Sequence, residues 1–286
     1  MISILSLHII QGLRPVLLVL LVLLVFAQKP KAYSQDSSGR GNFENSLEMR
    51  FAEVDEGRVL FSIWETRVKD YRSFVNETKR NWSDPGIIQD NNHPAVMVSW
   101  EDATQFCRWL TDKEVKAGTI QEGCRYRLPT SAEWSLAVGL KTPDYTDTNA
   151  LLQGPSQTEF PWGGGWPPSE KAGNYHPDLG CDSFPTTAPV GSFSPNQFGL
   201  FDMGGNVWEW CSDSFKSSID FRVLRGASWR MRSPGDLLSS IEIGNVGHIR
   251  LTTYGFRVVL ELGDKISVGA LHPPQTPPNR RPDKNP

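Results

Sequence analysis

The chain has no block of basic residues, and its 29 Lys and Arg are outnumbered by 32 Asp and Glu. Nucleic acid is therefore not expected as the main partner, because phosphate binding needs a clustered cationic face. No C-x-x-C pair occurs among the four cysteines, which removes zinc ribbons and thioredoxin-type redox motifs. No repeat of fixed period is visible, so solenoids and propellers are excluded. Strand patterns do not alternate with helical ones, which argues against a doubly wound parallel sheet. Long apolar runs are scarce too. The longest, Val16–Ala27, has twelve residues, short for a membrane span.

What is present points elsewhere. Hydrophobic residues make up 38% and charged residues 21%, enough to bury a core. The 25 Gly, 21 Pro and 10 Trp suggest many turns locked by aromatic packing. Arg14, the run Val16–Ala27 and the small residues Ala32 and Ser34 read as a signal peptide over 1–34, cleaved after Ser34. An uncleaved N-terminal anchor is the alternative reading. Cleavage removes Arg14, Lys29 and Lys31 and takes the net charge from -3 to -6. The protein is then exported, periplasmic or secreted, with no stable membrane span after cleavage. In an oxidising compartment the even count permits two disulfides. Proximity in sequence favours Cys107–Cys124 and Cys181–Cys211.

Residues 35–46 are small and polar and read as a linker. The stretch 263–286 is a Pro-rich tail expected to be extended and disordered. One domain, 47–262, lies between them. Three helices are legible in it. Thr66 caps the first, with Val68, Tyr71, Phe74 and Val75 on one face. Ser99 and Asp102 form a capping box before Ala103, Phe106, Cys107 and Leu110, and Thr130 and Glu133 repeat it before Trp134, Ala137 and Val138; each cap contributes about 1 kcal/mol. Short strands are expected at Val59–Ile63, Ala95–Ser99, Tyr126–Leu128, Val223–Arg225 and Gly255–Leu260. The stretch 139–222 lacks periodicity, and a loop of that length needs a fastener.

Five segments then stand in order: HPAVMVSWEDA from His93, RLPTSAEW from Arg127, GLFDMGGNVWEW from Gly199, RGASW from Arg225 and GFR from Gly255. Together, over about 45–262, they resemble the formylglycine-generating enzyme family, the sulfatase-modifying factor domains. The resemblance implies an α+β, C-type-lectin-like fold, loop-rich, with short strands and about three helices. Trp134, Trp208, Trp210 and Trp229 are expected as core indoles with satisfied N–H groups. Arg127, Arg225 and Arg257 are expected in ion pairs, with Glu133 and Glu209 as partners.

Enzymes of this family oxidise a sulfatase cysteine to formylglycine with copper held by two cysteines after the G-G-S-[FYW] motif. The matching motif here is Gly226-Ala227-Ser228-Trp229, and the two cysteine positions hold Met231 and Asp236. A thioether and a carboxylate do not replace two soft thiolates around Cu(I), so copper and formylglycine formation are not expected. A second branch of the superfamily holds iron in an H-x-x-x-H-x-E pattern. The five histidines, His8, His93, His176, His248 and His272, do not have that spacing.

The resemblance also implies two structural Ca2+ loops: Asn174, Tyr175, Asp182 and Phe184 in one, and Asp202, Gly205, Val207 and Glu209 in the other. Such hard oxygen donors suit calcium. The family's substrate edge maps to Ser228–Asp236 and Ile243–Arg250, where Ser228, Arg230 and Arg232 would line a groove. The function expected is a calcium-stabilised binding module for a protein or glycan ligand, with a sulfatase as one candidate. The alternative is a protein-modifying oxidase working on sulfatase cysteines through an altered site, with Cys211 as its first candidate thiol.

Overall fold

The computed structural model describes residues 34–35, 41–54, 59–140, 159–263 and 271. The expected signal segment, apart from Ser34, lies outside the described residues, as does the tail from 272 onward. Among the described residues no helix is long and apolar enough to cross a membrane.

Among the described residues, ten strands and three α-helices form the α+β domain expected from sequence. Strands β1 (Ser34–Gln35), β2 (Gly41–Glu44), β3 (Arg50–Glu53) and β4 (Val59–Ser62) are followed by α1 (Val68–Thr78) and α2 (Trp100–Ala117). Then come β5 (Arg125–Arg127), α3 (Ser131–Val138), β6 (Trp208–Ser214), β7 (Phe221–Arg225), β8 (Ile243–Val246), β9 (Tyr254–Gly255) and β10 (Val259–Glu261). One sheet has the order β1-β2-β3-β4-β10-β5 and the other β8-β7-β6-β9. All pairings are antiparallel except β6 with β9.

The capping boxes at α2 and α3 form as read. Ser99 accepts from the Asp102 N–H, and Thr130 from the Glu133 N–H. Both helices end on a left-handed glycine, Gly118 and Gly139, the usual C-terminal stop. Helix α1 differs. Its N-cap is Arg67, whose N–H donates to Asp70 Oδ2 at 3.0 Å. Thr66 is held back by extended pairing, its N–H donating to Phe256 O and its carbonyl accepting from Ala95, both at 2.8 Å.

Several strand expectations need correction. Ala95–Ser99 is not a strand, since Met97 takes a left-handed backbone and interrupts any ladder. Gly255–Leu260 divides into β9 and β10, which serve different sheets. Part of the expected linker is β2, whose Phe43 is buried and pairs opposite Phe51. Leu271, in the expected tail, is buried in the main core. The irregular stretch contains β6, a seven-residue strand at its end.

The larger core cluster gathers aromatic rings from α1, α2 and both sheets. Phe106, fully buried, meets Phe74, Trp109 and Phe256 at ring-centroid distances of 5.4–5.7 Å. Truncating such a side chain costs about 3–5 kcal/mol. A second cluster under α3 holds Trp134, Leu200, Met203, Cys211 and Val259. All four cysteines are buried free thiols, which corrects both expected disulfides. Cys181 packs in the first cluster and Cys211 in the second. Cys107 and Cys124 share the first cluster as separate apolar side chains.

Candidate functional site

The loop that leads into β6 builds the polar centre. Asp202 and Asn206 adopt left-handed backbone at φ 56°, and Gly205 lies at φ 85°. A Cβ on Gly205 would stand 2.4 Å from Asn174 O, so only glycine lets the two loops approach. Asn206 then ties the neighbouring chains together. Its Nδ2 donates to Glu65 Oε2 at 2.8 Å, and its Oδ1 accepts from Asn174 Nδ2 at 3.0 Å and from the Ala188 N–H at 2.9 Å.

Beside this hub sits a buried ion pair. Arg257 and Glu209 are essentially fully buried and meet through Nη2–Oε1 at 2.6 Å and Nε–Oε2 at 2.7 Å. The Trp134 indole N–H donates to Glu209 Oε2 at 2.9 Å. The remaining Arg257 donors reach Ser62 O at 3.2 Å and Phe201 O at 3.0 Å. Arg127 grips Glu133 with two bonds of 2.7 Å. Both pairs match the sequence expectation. Arg225 instead pairs with Glu242 at 3.0 Å.

Glu65 and Asp202 add two buried carboxylates next to that pair. Burial, then the charges of Asp202 and Glu209, pushes Glu65 well above the usual carboxylate range. Burial also raises Asp202, to about 6, although the Gly191 N–H and Arg257 pull it down. Three buried carboxylates share this centre with one guanidinium. Sequence reasoning missed Glu65 and Asn206. Asn206 was legible, since it stands inside the G-N-x-W-E-W segment; Glu65, in a plain W-E-T stretch, had no signal of its own.

Of the expected calcium ligands, Asn174 Oδ1 and Asp202 Oδ1 are buried oxygens with no hydrogen-bond partner. They fit a hard cation in kind. The other acids are engaged. Asp182 accepts from the Tyr175 N–H at 3.0 Å and the Phe184 N–H at 2.8 Å, and Glu209 is clamped by Arg257. Gly205 and Val207 are buried in the second loop. Among the described residues no three His, Cys, Asp or Glu side chains cluster as a metal site, so any ligand set must draw on amide and carbonyl oxygens.

The expected groove edge is only partly a surface. Ser228 is fully buried, with its Oγ unpartnered. Arg230 is exposed and lies 5.5 Å over the Trp229 ring; Arg232 is exposed and pairs with Asp178 at 2.7 Å. Ala227 occupies left-handed backbone at φ 66°, a strain of about 1–2 kcal/mol for a residue with a Cβ. Met231 is half-buried against the core and Asp236 is exposed on a one-turn 3-10 helix, Pro234–Leu237. No cysteine is near them in sequence. Burial pushes the Cys107 and Cys211 thiols far up and raises Cys181 to about 11. Trp134, Trp208 and Trp210 are core indoles, as expected, with Trp210 donating to Val98 O at 3.0 Å. Trp229, expected with them, is only half-buried and donates to Thr252 O at 3.3 Å.

Comparison with known proteins adds an independent line. The sulfatase-modifying factor enzyme 1-like domain matches residues 40–262. The chain is 33% identical over 198 residues to the inactive C-alpha-formylglycine-generating enzyme 2 of Mus musculus, covering 65% of this chain and 56% of that protein. It is 40% identical over 178 residues to the formylglycine-generating enzyme of Streptomyces coelicolor, covering 54% and 50%. The chain thus spans about half the length of the curated relatives it matches. Among solved structures, PvdO from Pseudomonas aeruginosa is similar with a TM-score of 0.55 and 22% identity, over 82% of this chain and 100% of that one. That likeness speaks for the fold.

Proposed function

The chain belongs to the sulfatase-modifying factor enzyme 1-like domain family, and from that premise we propose an exported, non-catalytic member: a calcium-stabilised domain that binds a protein or glycan ligand. One observation carries the non-catalytic reading. The two positions that hold the family's copper thiolates are Met231 and Asp236, and all four cysteines are buried elsewhere. A thiol must ionise to act as nucleophile or Cu(I) ligand. Burial pushes the Cys107, Cys181 and Cys211 thiols up, and none of the four cysteines lies within residues 226–236, which supports the reading that no thiol pair replaces the missing one.

Calcium is supported by the unpartnered oxygens of Asn174 and Asp202 and by the surplus of buried carboxylate. A dication there would offset charge that Arg257 alone does not. In the first loop Asn174 would give a side-chain oxygen and Tyr175 and Phe184 carbonyls. In the second Asp202 would give a carboxylate and Gly205 and Val207 carbonyls. Asp182 and Glu209, expected as ligands, are engaged within the protein. Ligand binding is assigned to the edge carrying Arg230 and Arg232, where an acidic group on a sulfatase or another protein would find exposed cations.

The test is mass spectrometry of a cysteine-containing sulfatase peptide incubated with the protein, with and without copper. No aldehyde should form. The variant Met231→Cys/Asp236→Cys should gain Cu(I) binding, because it restores two soft ligands. Aldehyde formed by the unmodified protein would overturn the reading and turn attention to Cys211.

A further inference from the structure

A second surface, which uses none of the candidate-site residues, lies between the C-terminal half of α1 and α2. There a groove of about 700 Å³ is lined by Phe74, Glu77, Arg80, Arg108, Trp109 and Lys113, among others. Its floor is the half-buried Trp109 ring, 5.5 Å from the Phe74 ring, which is itself buried in the core. Cations stand over both rings. Arg80 is 5.1 Å above Phe74 and contacts Gln105, while Lys113 is 5.4 Å above Trp109. Glu77 fixes that side, pairing with Lys113 at 2.7 Å and accepting the Trp109 indole N–H at 3.1 Å.

The outer row of α2 is Arg108, Asp112 and Lys116, one turn apart on one face. All three are exposed. Neither Arg108, Lys116 nor Arg80 has a carboxylate partner among the described residues. The rim therefore offers three unpaired cations against one unpaired acid, a local reversal of sign in a chain of net charge -3. Arg108 and Lys116 stand about 12 Å apart along the helix axis, the reach of about four residues of extended chain.

We propose that this groove docks an acidic segment of a partner protein. An apolar side chain packs on the part of the Trp109 ring that stays exposed, and flanking carboxylates meet Arg80, Arg108 and Lys116. An aromatic floor between cations selects for alternating apolar and anionic groups, which a polypeptide supplies. A purely ionic polymer would satisfy the rim and leave the Trp109 ring half-exposed. The site uses none of the residues on which the non-catalytic reading rests, so each stands or falls alone.

The probe is a fluorescein-labelled DELFED peptide, titrated against the full chain by anisotropy, with KKLFKK as control. Only DELFED should bind, and salt should weaken it because the rim is exposed. Arg108→Glu/Lys116→Glu should weaken binding roughly tenfold or more, with an unchanged circular dichroism spectrum. Arg108→Gln/Lys116→Gln serves if charge reversal perturbs folding. Unchanged affinity in both variants would overturn the proposal. So would a loss confined to Arg230→Glu/Arg232→Glu, which would place the peptide on the other edge. Binding of heparin or of anionic phosphatidylserine vesicles without binding of DELFED would overturn it as well.

Discussion

Arg257→Met is the most informative single perturbation. The guanidinium is fully buried and makes bonds of 2.6 and 2.7 Å to Glu209, and it also supplies Ser62 O and Phe201 O. Methionine fills much of the volume but carries no charge. Glu209 then joins Glu65 and Asp202 as a third buried carboxylate with no cation beside it. Removing one partner of a buried pair costs about 3–5 kcal/mol, chiefly from the charge left behind. For a domain of this size the melting temperature should fall by roughly 10 °C. Urea unfolding followed by tryptophan fluorescence measures the loss. Glu209→Gln and the double variant complete a cycle, and the double variant should cost less than the sum of the singles, since it leaves neither charge unpaired. The loss should deepen in chelator, because calcium would be the remaining source of positive charge. A cost below about 1 kcal/mol in chelator would refute the argument, since the three carboxylates would then not depend on Arg257.

Further measurements test the rest. Chelator should lower the melting temperature of the unmodified protein, as expected when a ligand binds the native state alone, with about 2.7 kcal/mol at stake at a hundredfold excess over Kd. Asp202→Ala and Asn174→Ala should each remove a large part of that response, and no response to chelator would sink both calcium loops. Thiol titration of the native protein with an aromatic disulfide should label almost nothing, whereas the denatured chain should show all four cysteines; rapid native labelling would contradict their burial. Burial raises the Glu133 carboxyl, but the Arg127 fork and the Thr130 N–H outweigh it and hold the group below its ordinary 4.5. A depressed carboxyl contributes stability above its unfolded pKa and loses it as pH falls through the folded value. Glu133→Gln, which keeps the capping bond, should therefore cost about 1 kcal/mol near neutral pH and flatten the acid limb below about pH 4.5. An unchanged acid limb would show the pair to be electrostatically idle.

Local signals in the sequence determined local structure. Ser99 with Asp102 and Thr130 with Glu133 placed two helix starts correctly, because a capping box is a bond between residues three apart. The Arg127–Glu133 and Arg257–Glu209 pairs were legible because the motifs themselves carry the partners, and Met231 and Asp236 could be read directly against the pattern they depart from. Tertiary structure decided what depends on distant neighbours. Thr66 lost its cap role to Arg67 because Phe256 and Ala95 take its backbone groups. Ser228 went from expected groove lining to full burial. The cysteines stayed apart because core packing, not sequence spacing, assigns them their neighbours. Above all, Glu65 and Glu209 are 144 positions apart in the chain, yet their charges act on one another in a common low-dielectric centre. Periodicity and motif carry no term for such an encounter, which exists only once the sheets have closed around it.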